Sequence, residues 1–224
     1  MIQERYKRNF PSIREEEQEL LKTKTVSIIG CGGLGGNLIE NMARLGVGCI
    51  RVIDCDEFSE SNLNRQLLST EKNLGRRKAA EAAKRIRAVN SEVKVKVIDR
   101  MLTAENAVKI LKGSDLVLDA IDNIEGRFIA ADACAALGIY FIHGAISGWC
   151  AQASTVAPGS GFLDKIYPRN LKAQAPSVLS FAPGFAAGVQ TAEALKVLLG
   201  KEDTLENKLF IADLKSCSFQ VIEF

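Results

Sequence analysis

The chain has 224 residues, 47% hydrophobic and 25% charged, which is enough for one large domain with a sizeable core. A net charge of +2 is too small to argue for a nucleic-acid or membrane surface. No apolar run reaches the ~20 residues that a membrane helix needs. Met1–Arg8 has neither an apolar core nor a cleavage-site pattern, so no signal peptide is expected. Cysteines at 31, 49, 55, 134, 150 and 217 form no Cys-x-x-Cys pair and lie mostly in apolar runs. They read as buried thiols of a cytoplasmic protein without a zinc site.

In chain order, Ser12 predicts the cap of a helix over 12–22, with Glu15 completing a capping box. Val26, Ile28 and Ile29 form a short buried strand that stops at Gly30, Gly32, Gly33 and Gly35. Leu34, Leu38, Met42 and Leu45 then repeat at helical spacing until Gly46. A strand, a glycine turn and a helix N-terminus in that order suit a phosphate. Cys49–Asp54 is a second strand ending in acid, and 55–74 is a long polar connection.

Gly75–Lys78 opens a helix with Ala79, Ala82, Ala83, Ile86 and Val89 on its inner side. Strands over 93–98, 116–119 and 140–143 alternate with helices over 104–111 and 125–137. This alternation predicts an α/β, Rossmann-like doubly wound fold with a mostly parallel sheet. Beyond Gly144, a strand over 149–156, a Pro/Gly/Ser-rich stretch over 158–183, a helix over 185–199 and strands over 209–213 and 218–222 extend that sheet in antiparallel sense. The expected organisation is a single domain: an arm over 1–24, a nucleotide-binding core over 25–145, and a sheet extension over 146–224.

A glycine loop with Asp54 downstream also fits a nicotinamide or flavin enzyme. Three features point elsewhere. Asp56 and an amide-rich basic segment, Ser61-Asn-Leu-Asn-Arg-Gln66, follow the acid. Lys78 opens a helix, where a flexible cation can reach a polyphosphate. Asp122-Asn123 follows a strand at the sheet edge where such folds bind ligands, placed to hold Mg²⁺.

Gly30-x-Gly-Gly-x-Gly35, Gly46-Val-Gly48, Asp54-x-Asp56, Ser61-Asn-Leu-x-Arg-Gln66, Gly75-x-x-Lys78 and Asp122-Asn-x-x-x-Arg127 together resemble the adenylating E1-like superfamily of ThiF, MoeB, HesA and the ubiquitin-activating enzymes. Arg5-Tyr-Lys-Arg8 and Gln190–Lys196 extend the resemblance over nearly the whole chain.

The resemblance implies an ATP-dependent adenylyltransferase. The C-terminal carboxylate of a ubiquitin-fold sulfur carrier of the ThiS or MoaD type attacks the α-phosphate of ATP, releasing pyrophosphate in a thiamine, molybdopterin or related sulfur-transfer route. It places the nucleotide at Gly30, Gly32, Gly33 and Gly35, and the ribose at Asp54 beside Asp56. Ser61, Asn62, Arg65 and Lys78 surround the phosphates, Gln66 supports the loop, and Asp122 holds Mg²⁺ with Asn123 beside it. Arg8 matches an arginine donated to the neighbouring site across a homodimer. Catalysis then rests on Arg8, Arg65, Lys78 and Asp122.

The same chemistry serves an alternative, a tRNA threonylcarbamoyladenosine dehydratase, which would favour a basic RNA-binding patch. A NAD-dependent oxidoreductase is the reading from a different class. The chain departs from many relatives in lacking two Cys-x-x-Cys pairs, so no zinc is expected, and in having no cysteine over 157–189. A covalent step after adenylation is therefore not expected from that stretch, which leaves Cys217 and Cys150 as the other candidates. The 144–148 turn and the 157–183 stretch are the expected walls of a channel for the carrier tail.

Each of these residues also has a plainer reading. Arg65 and Lys78 read singly are solvated cations, and Asp122 read singly serves equally as a helix cap. Arg76 and Arg77 read as a solvated face. His143 reads as a hydrogen-bonded structural residue, Trp149 as core or interface, and Cys31 as a small side chain turned into the core.

Overall fold

The computed structural model describes residues 3–169, 171 and 177–224. Its frame is one eight-stranded sheet with strand order β3-β2-β1-β4-β5-β6-β7-β8. The strands are β1 (Thr25–Ile29), β2 (Cys49–Ile53), β3 (Lys94–Ile98), β4 (Leu116–Asp119), β5 (Tyr140–Ser147), β6 (Cys150–Val156), β7 (Lys208–Asp213) and β8 (Ser218–Glu223). β1 to β5 pair in parallel, whereas β6, β7 and β8 are antiparallel to their neighbours. The expected mixed sheet is therefore observed.

The α-helices are α1 (Glu15–Leu21), α2 (Gly33–Leu45), α3 (Lys78–Val89), α4 (Ala107–Leu111), α5 (Ile124–Leu137), α6 (Phe162–Ile166) and α7 (Phe181–Leu198). Apolar side chains of α2, α3 and α7 pack on one face of the sheet around Val26, Ile28, Ile50, Val52, Leu116 and Leu118. Those of α4, α5 and α6 pack on the other face around Ile29, Ile53, Val117 and Phe141. The strictly alternating strand residues supply both cores because successive side chains point to opposite faces. Burying one such aliphatic side chain contributes about 1.5–3 kcal/mol.

Several boundaries differ from the sequence expectation, among them α4, which starts at Ala107 rather than at 104. α1 starts at Glu15, because 3-10 turns over Glu4–Asn9 and the Ile13 N–H bond to Asn9 O carry the chain to Ile13 first. The cap is Arg14, whose N–H is taken by Glu17 at 2.9 Å, so Ser12 does not cap. α7 begins at Phe181 and includes Pro183 in its first turn, where no N–H is needed for an intrahelical bond. β5 runs through Gly144 to Ser147, because β6 turns back against it at once.

The cysteines also differ. Only Cys31 and Cys134 are buried; Cys150 and Cys217 are exposed, since they sit at a strand start and a hairpin turn. Trp149 is exposed and packs its ring on Phe181 at 4.9 Å. Among the described residues, no helix is long and apolar enough to cross a membrane.

Candidate active site

The chain runs outward from β1 to β2 and β3, then returns to β4 on the opposite side of β1. The carboxyl ends of β1 and β4 therefore diverge, and this switch point is where open α/β sheets bind ligands. Registers Ile29↔Ile53 and Ile29↔Asp119 put Gly30, Asp54 and Ala120 at one level. A cavity of about 890 Å³ opens there.

The glycine turn is shaped by close backbone approach. Gly30 has φ +97°, a conformation that an L side chain rarely adopts, and a Cβ there would lie 2.5 Å from Ala120 O. A Cβ on Gly35 would lie 1.8 Å from Gly30 O. With Gly32 as cap residue, no side chain caps α2, so its first N–H groups face the cavity mouth without a side-chain partner. Such a helix end favours an anion.

Asp54 stands opposite. Its Oδ2 accepts from Cys31 N at 2.6 Å and its Oδ1 from Asp56 N at 2.8 Å. Burial raises its pKa, against the opposing pull of these two amides. Both oxygens keep lone pairs for further donors such as ribose hydroxyls. The buried Cys31 thiol is pushed well above its ordinary pKa by burial.

Lys78, the first residue of α3, is buried, and its Nζ pairs with Asp56 Oδ2 at 3.1 Å. Its own N–H donates to Asp56 O at 2.9 Å, so the helix start is tied to the Asp54–Asp56 side of the cleft. Arg65 donates to Ser61 O and Asn64 Oδ1, both at 2.8 Å, and lines the cavity. Gln66 is buried in that wall with Oε1 unpartnered.

Across the cavity, Asp122 is exposed and touches Asn123 Nδ2 at 3.2 Å. The cap of α5 is Asn123, whose Oδ1 accepts from Gly126 N at 2.7 Å, which leaves the Asp122 carboxylate free of that duty.

Of the residues singled out in the sequence, Gly30, Gly32, Gly33, Asp54, Asp56, Arg65, Gln66, Lys78, Asp122 and Asn123 line this one cavity. Gly35, Ser61, Asn62 and Arg8 do not. Gly35 is buried behind the turn it permits. Asn62 is buried and accepts Ser59 N at 3.0 Å, closing a 3-10 turn that presents Arg65. Ser61 Oγ pairs with Ser59 Oγ at 3.0 Å. Arg8 is exposed in the Glu4–Asn9 turn, which is anchored by Tyr6 against the C-terminus of α2.

Two contacts hold the described part of the stretch expected to wall a tail channel. Gly148 N donates to Ser177 O at 2.7 Å, and Asn64 Nδ2 reaches Val178 O at 3.3 Å. Val178 and Leu171 line the cavity, while residues 170 and 172–176 of that stretch lie outside the described residues.

Several site residues carry no assigned site role in the sequence, although Arg127 closes the Asp122-Asn-x-x-x-Arg127 motif. Arg127, Tyr167 and Gln152 also line the cavity, and behind them lie buried Asp119 and His143. His143 Nδ1 is 2.7 Å from Asp119 Oδ2. Burial lowers the histidine pKa, in part offset by that contact, and burial raises Tyr167 to about 12. From α7, Gln190 Nε2 donates to Asp119 O at 2.9 Å and to Ile142 O at 3.0 Å, in space that Gly144 leaves open. The bonds that bring His143 and Gln190 to Asp119 span 24 and 71 residues, which hides the cluster in sequence.

A group of three or more His, Cys, Asp or Glu side chains able to hold a metal is absent among the described residues. A magnesium–nucleotide needs no such cage, since phosphate oxygens and water complete the shell around one or two carboxylates. The uncapped helix, the paired cations, the unpartnered Gln66 oxygen and Asp122 fit ATP with Mg²⁺ on those terms.

The sequence matches the ThiF family over residues 5–224. It is 31% identical to the SAMP-activating enzyme E1 of Haloferax volcanii, over 99% of this chain and 85% of that protein. It is 35% identical to a sulfur carrier protein adenylyltransferase of Thermus thermophilus, over 97% of this chain and 85% of that protein. Among solved structures, E. coli MccB with ATP superposes with a TM-score of 0.85 at 22% identity, over 99% of this chain and 72% of that one, which establishes likeness of fold. The chain belongs to the ThiF family.

Proposed function

We propose that this protein is an ATP-dependent adenylyltransferase that activates the C-terminal carboxylate of a ubiquitin-fold sulfur carrier. The observation that carries the reading is one cavity that collects an uncapped helix N-terminus, Asp54, Arg65, Lys78 and Asp122 in a chain of this family. The names of its curated relatives support the substrate class.

The carrier carboxylate oxygen bonds to the α-phosphorus as the bond to the β-phosphate oxygen breaks, giving an acyl-adenylate and pyrophosphate. The nucleophile belongs to the substrate, so the protein's work is alignment and charge neutralisation. Asp54 accepts the ribose hydroxyls. The α2 N-terminus receives the phosphates, and Arg65 and Lys78 offset charge on the departing pyrophosphate. For Lys78 this means exchanging Asp56 for a phosphate oxygen. Asp122 would hold Mg²⁺, which when bound neutralises phosphate charge. The carrier tail enters beneath Ser177 and Val178. Arg8 serves the site of a second copy in a two-fold homodimer.

The test is ATP–pyrophosphate exchange with candidate carriers ending in glycine and with tRNA as control. Exchange should require both the carrier and Mg²⁺, and a carrier with an amidated C-terminus should give none. Exchange driven by tRNA alone, or NAD binding without exchange, would replace this reading.

A further inference from the structure

We infer that His143 is a positioning residue for adenylation, holding the Asp122 loop through the Asp119 carboxylate. This rests on the adenylation reading, because it assigns the buried cluster to the loop that would hold the metal.

The backbone of Ile121, immediately before Asp122, is gripped at both its N–H and its carbonyl. Its N–H donates to Asp119 Oδ1 at 2.9 Å, and its carbonyl accepts from Arg127 Nη2 at 2.7 Å. Those two grips share an anchor. Asp119 Oδ2 takes His143 Nδ1 at 2.7 Å and lies 3.1 Å from Arg127 Nε. The orientation of one carboxylate thus sets both bonds to Ile121.

His143 fixes that orientation. It sits beside Asp119 in the parallel β4–β5 register, which pairs Leu118 with Ile142 one step earlier. Both side chains are fully buried. A carboxylate can only accept from Nδ1, so Nδ1 carries the proton. Nε2 is then an acceptor for Tyr167 OH at 3.2 Å or Gln152 Nε2 at 3.3 Å. Tyr167 and Gln152 are bonded to each other and line the cavity. The ring therefore has a donor-acceptor assignment in which no group is left over.

A cluster that only stabilised the fold would not need to aim Asp119 Oδ1 and, by way of Oδ2, Arg127 at the backbone preceding Asp122. Gln190 already ties the Asp119 backbone to β5. The carboxylate network acts on the loop beyond the strand end, where the cavity begins.

The experiment compares wild type with His143→Asn and His143→Gln. An asparagine amide reaches the place of Nδ1 and can still donate to Asp119; a glutamine amide reaches the place of Nε2 and cannot. In the nucleotide-free protein, His143→Gln should speed exchange of the Ile121 amide about tenfold relative to the Val52 amide, with His143→Asn close to wild type. In ATP–pyrophosphate exchange, His143→Gln should raise the half-saturating Mg²⁺ concentration about tenfold, with His143→Asn again closer to wild type. A fall in folded fraction would leave that concentration unchanged. Nitrogen NMR of wild type supplies a readout free of any variant and should show the proton on Nδ1. Unchanged Ile121 exchange, unchanged Mg²⁺ dependence in His143→Gln, or a proton on Nε2 would overturn the inference while leaving adenylation intact. Absence of exchange activity in wild type would overturn the adenylation reading and this inference with it.

Discussion

Gly35→Ala and Gly36→Ala are adjacent single-methyl changes on the same helix, and the structure separates them sharply. Replacing helical glycine by alanine gains about 1 kcal/mol of propensity in either case. At Gly35 the new Cβ would lie 1.8 Å from Gly30 O and 3.2 Å from Ala120 Cβ. The Gly30 carbonyl cannot retreat, because Gly30 N is bonded to Ile53 O at 2.8 Å and the residue is held at φ +97°. Either the turn unwinds or α2 moves off β1, and overpacking against backbone exceeds the propensity gain by about 3 kcal/mol. At Gly36 the nearest atom is Leu68 Cγ at 3.3 Å, a side-chain contact that a shift of a few tenths of an ångström relieves, with no backbone atom outside α2 closer than 3.7 Å. Its net effect should lie within about 1 kcal/mol of zero. Urea denaturation by circular dichroism measures both changes, and ATP titration reports whether the cradle survives. Gly36→Ala should keep ATP affinity, and Gly35→Ala should lose most of it. Equal stability of the two variants would refute the close-approach account of the turn.

Asp122→Ala should abolish ATP–pyrophosphate exchange with a urea midpoint close to that of wild type, because the side chain is exposed and Asn123 retains the α5 cap; persisting exchange would remove Asp122 from the site. His143 predicts a pH dependence of stability. Burial holds its folded pKa below 6.5, so beneath pH 6.5 the unfolded chain binds a proton that the folded chain refuses. Its neutral form is fully accommodated above pH 6.5, and stability should fall as the pH drops from there, by at most about 1.4 kcal/mol per pH unit. His143→Asn should flatten urea midpoints between pH 6.5 and pH 5, and identical slopes would count against the assignment. Arg8→Ala mixed with Asp122→Ala should recover part of the exchange activity if one copy donates Arg8 to the other's cavity, and no recovery at any ratio would argue for an arginine that serves no second site.

Much of this protein is legible from local pattern. The β1–turn–α2 unit combines a buried apolar run, glycines where no Cβ fits, and a 3.6-residue repeat, all within about twenty positions. Strand and helix alternation carries the parallel half of the sheet for the same reason. Residues such as Asp54, Lys78 and Asp122 follow strand ends or open helices, so chain order alone places them on one edge. Local pattern misses what depends on partners far along the chain. The Ser12 cap gives way to Arg14 because the preceding turn consumes the residues before it. Asn62 turns inward to close a loop, while its neighbour Arg65 faces the cavity. Six cysteines look alike in sequence, yet strand ends expose two of them. Asp119, His143, Tyr167 and Gln190 meet only once β4, β5, α6 and α7 have packed, since each hydrogen bond there joins residues at least 24 positions apart. Apolar periodicity records which face of an element is buried. It carries no record of which buried polar group will find which partner, and those partners are what orient the loop bearing Asp122.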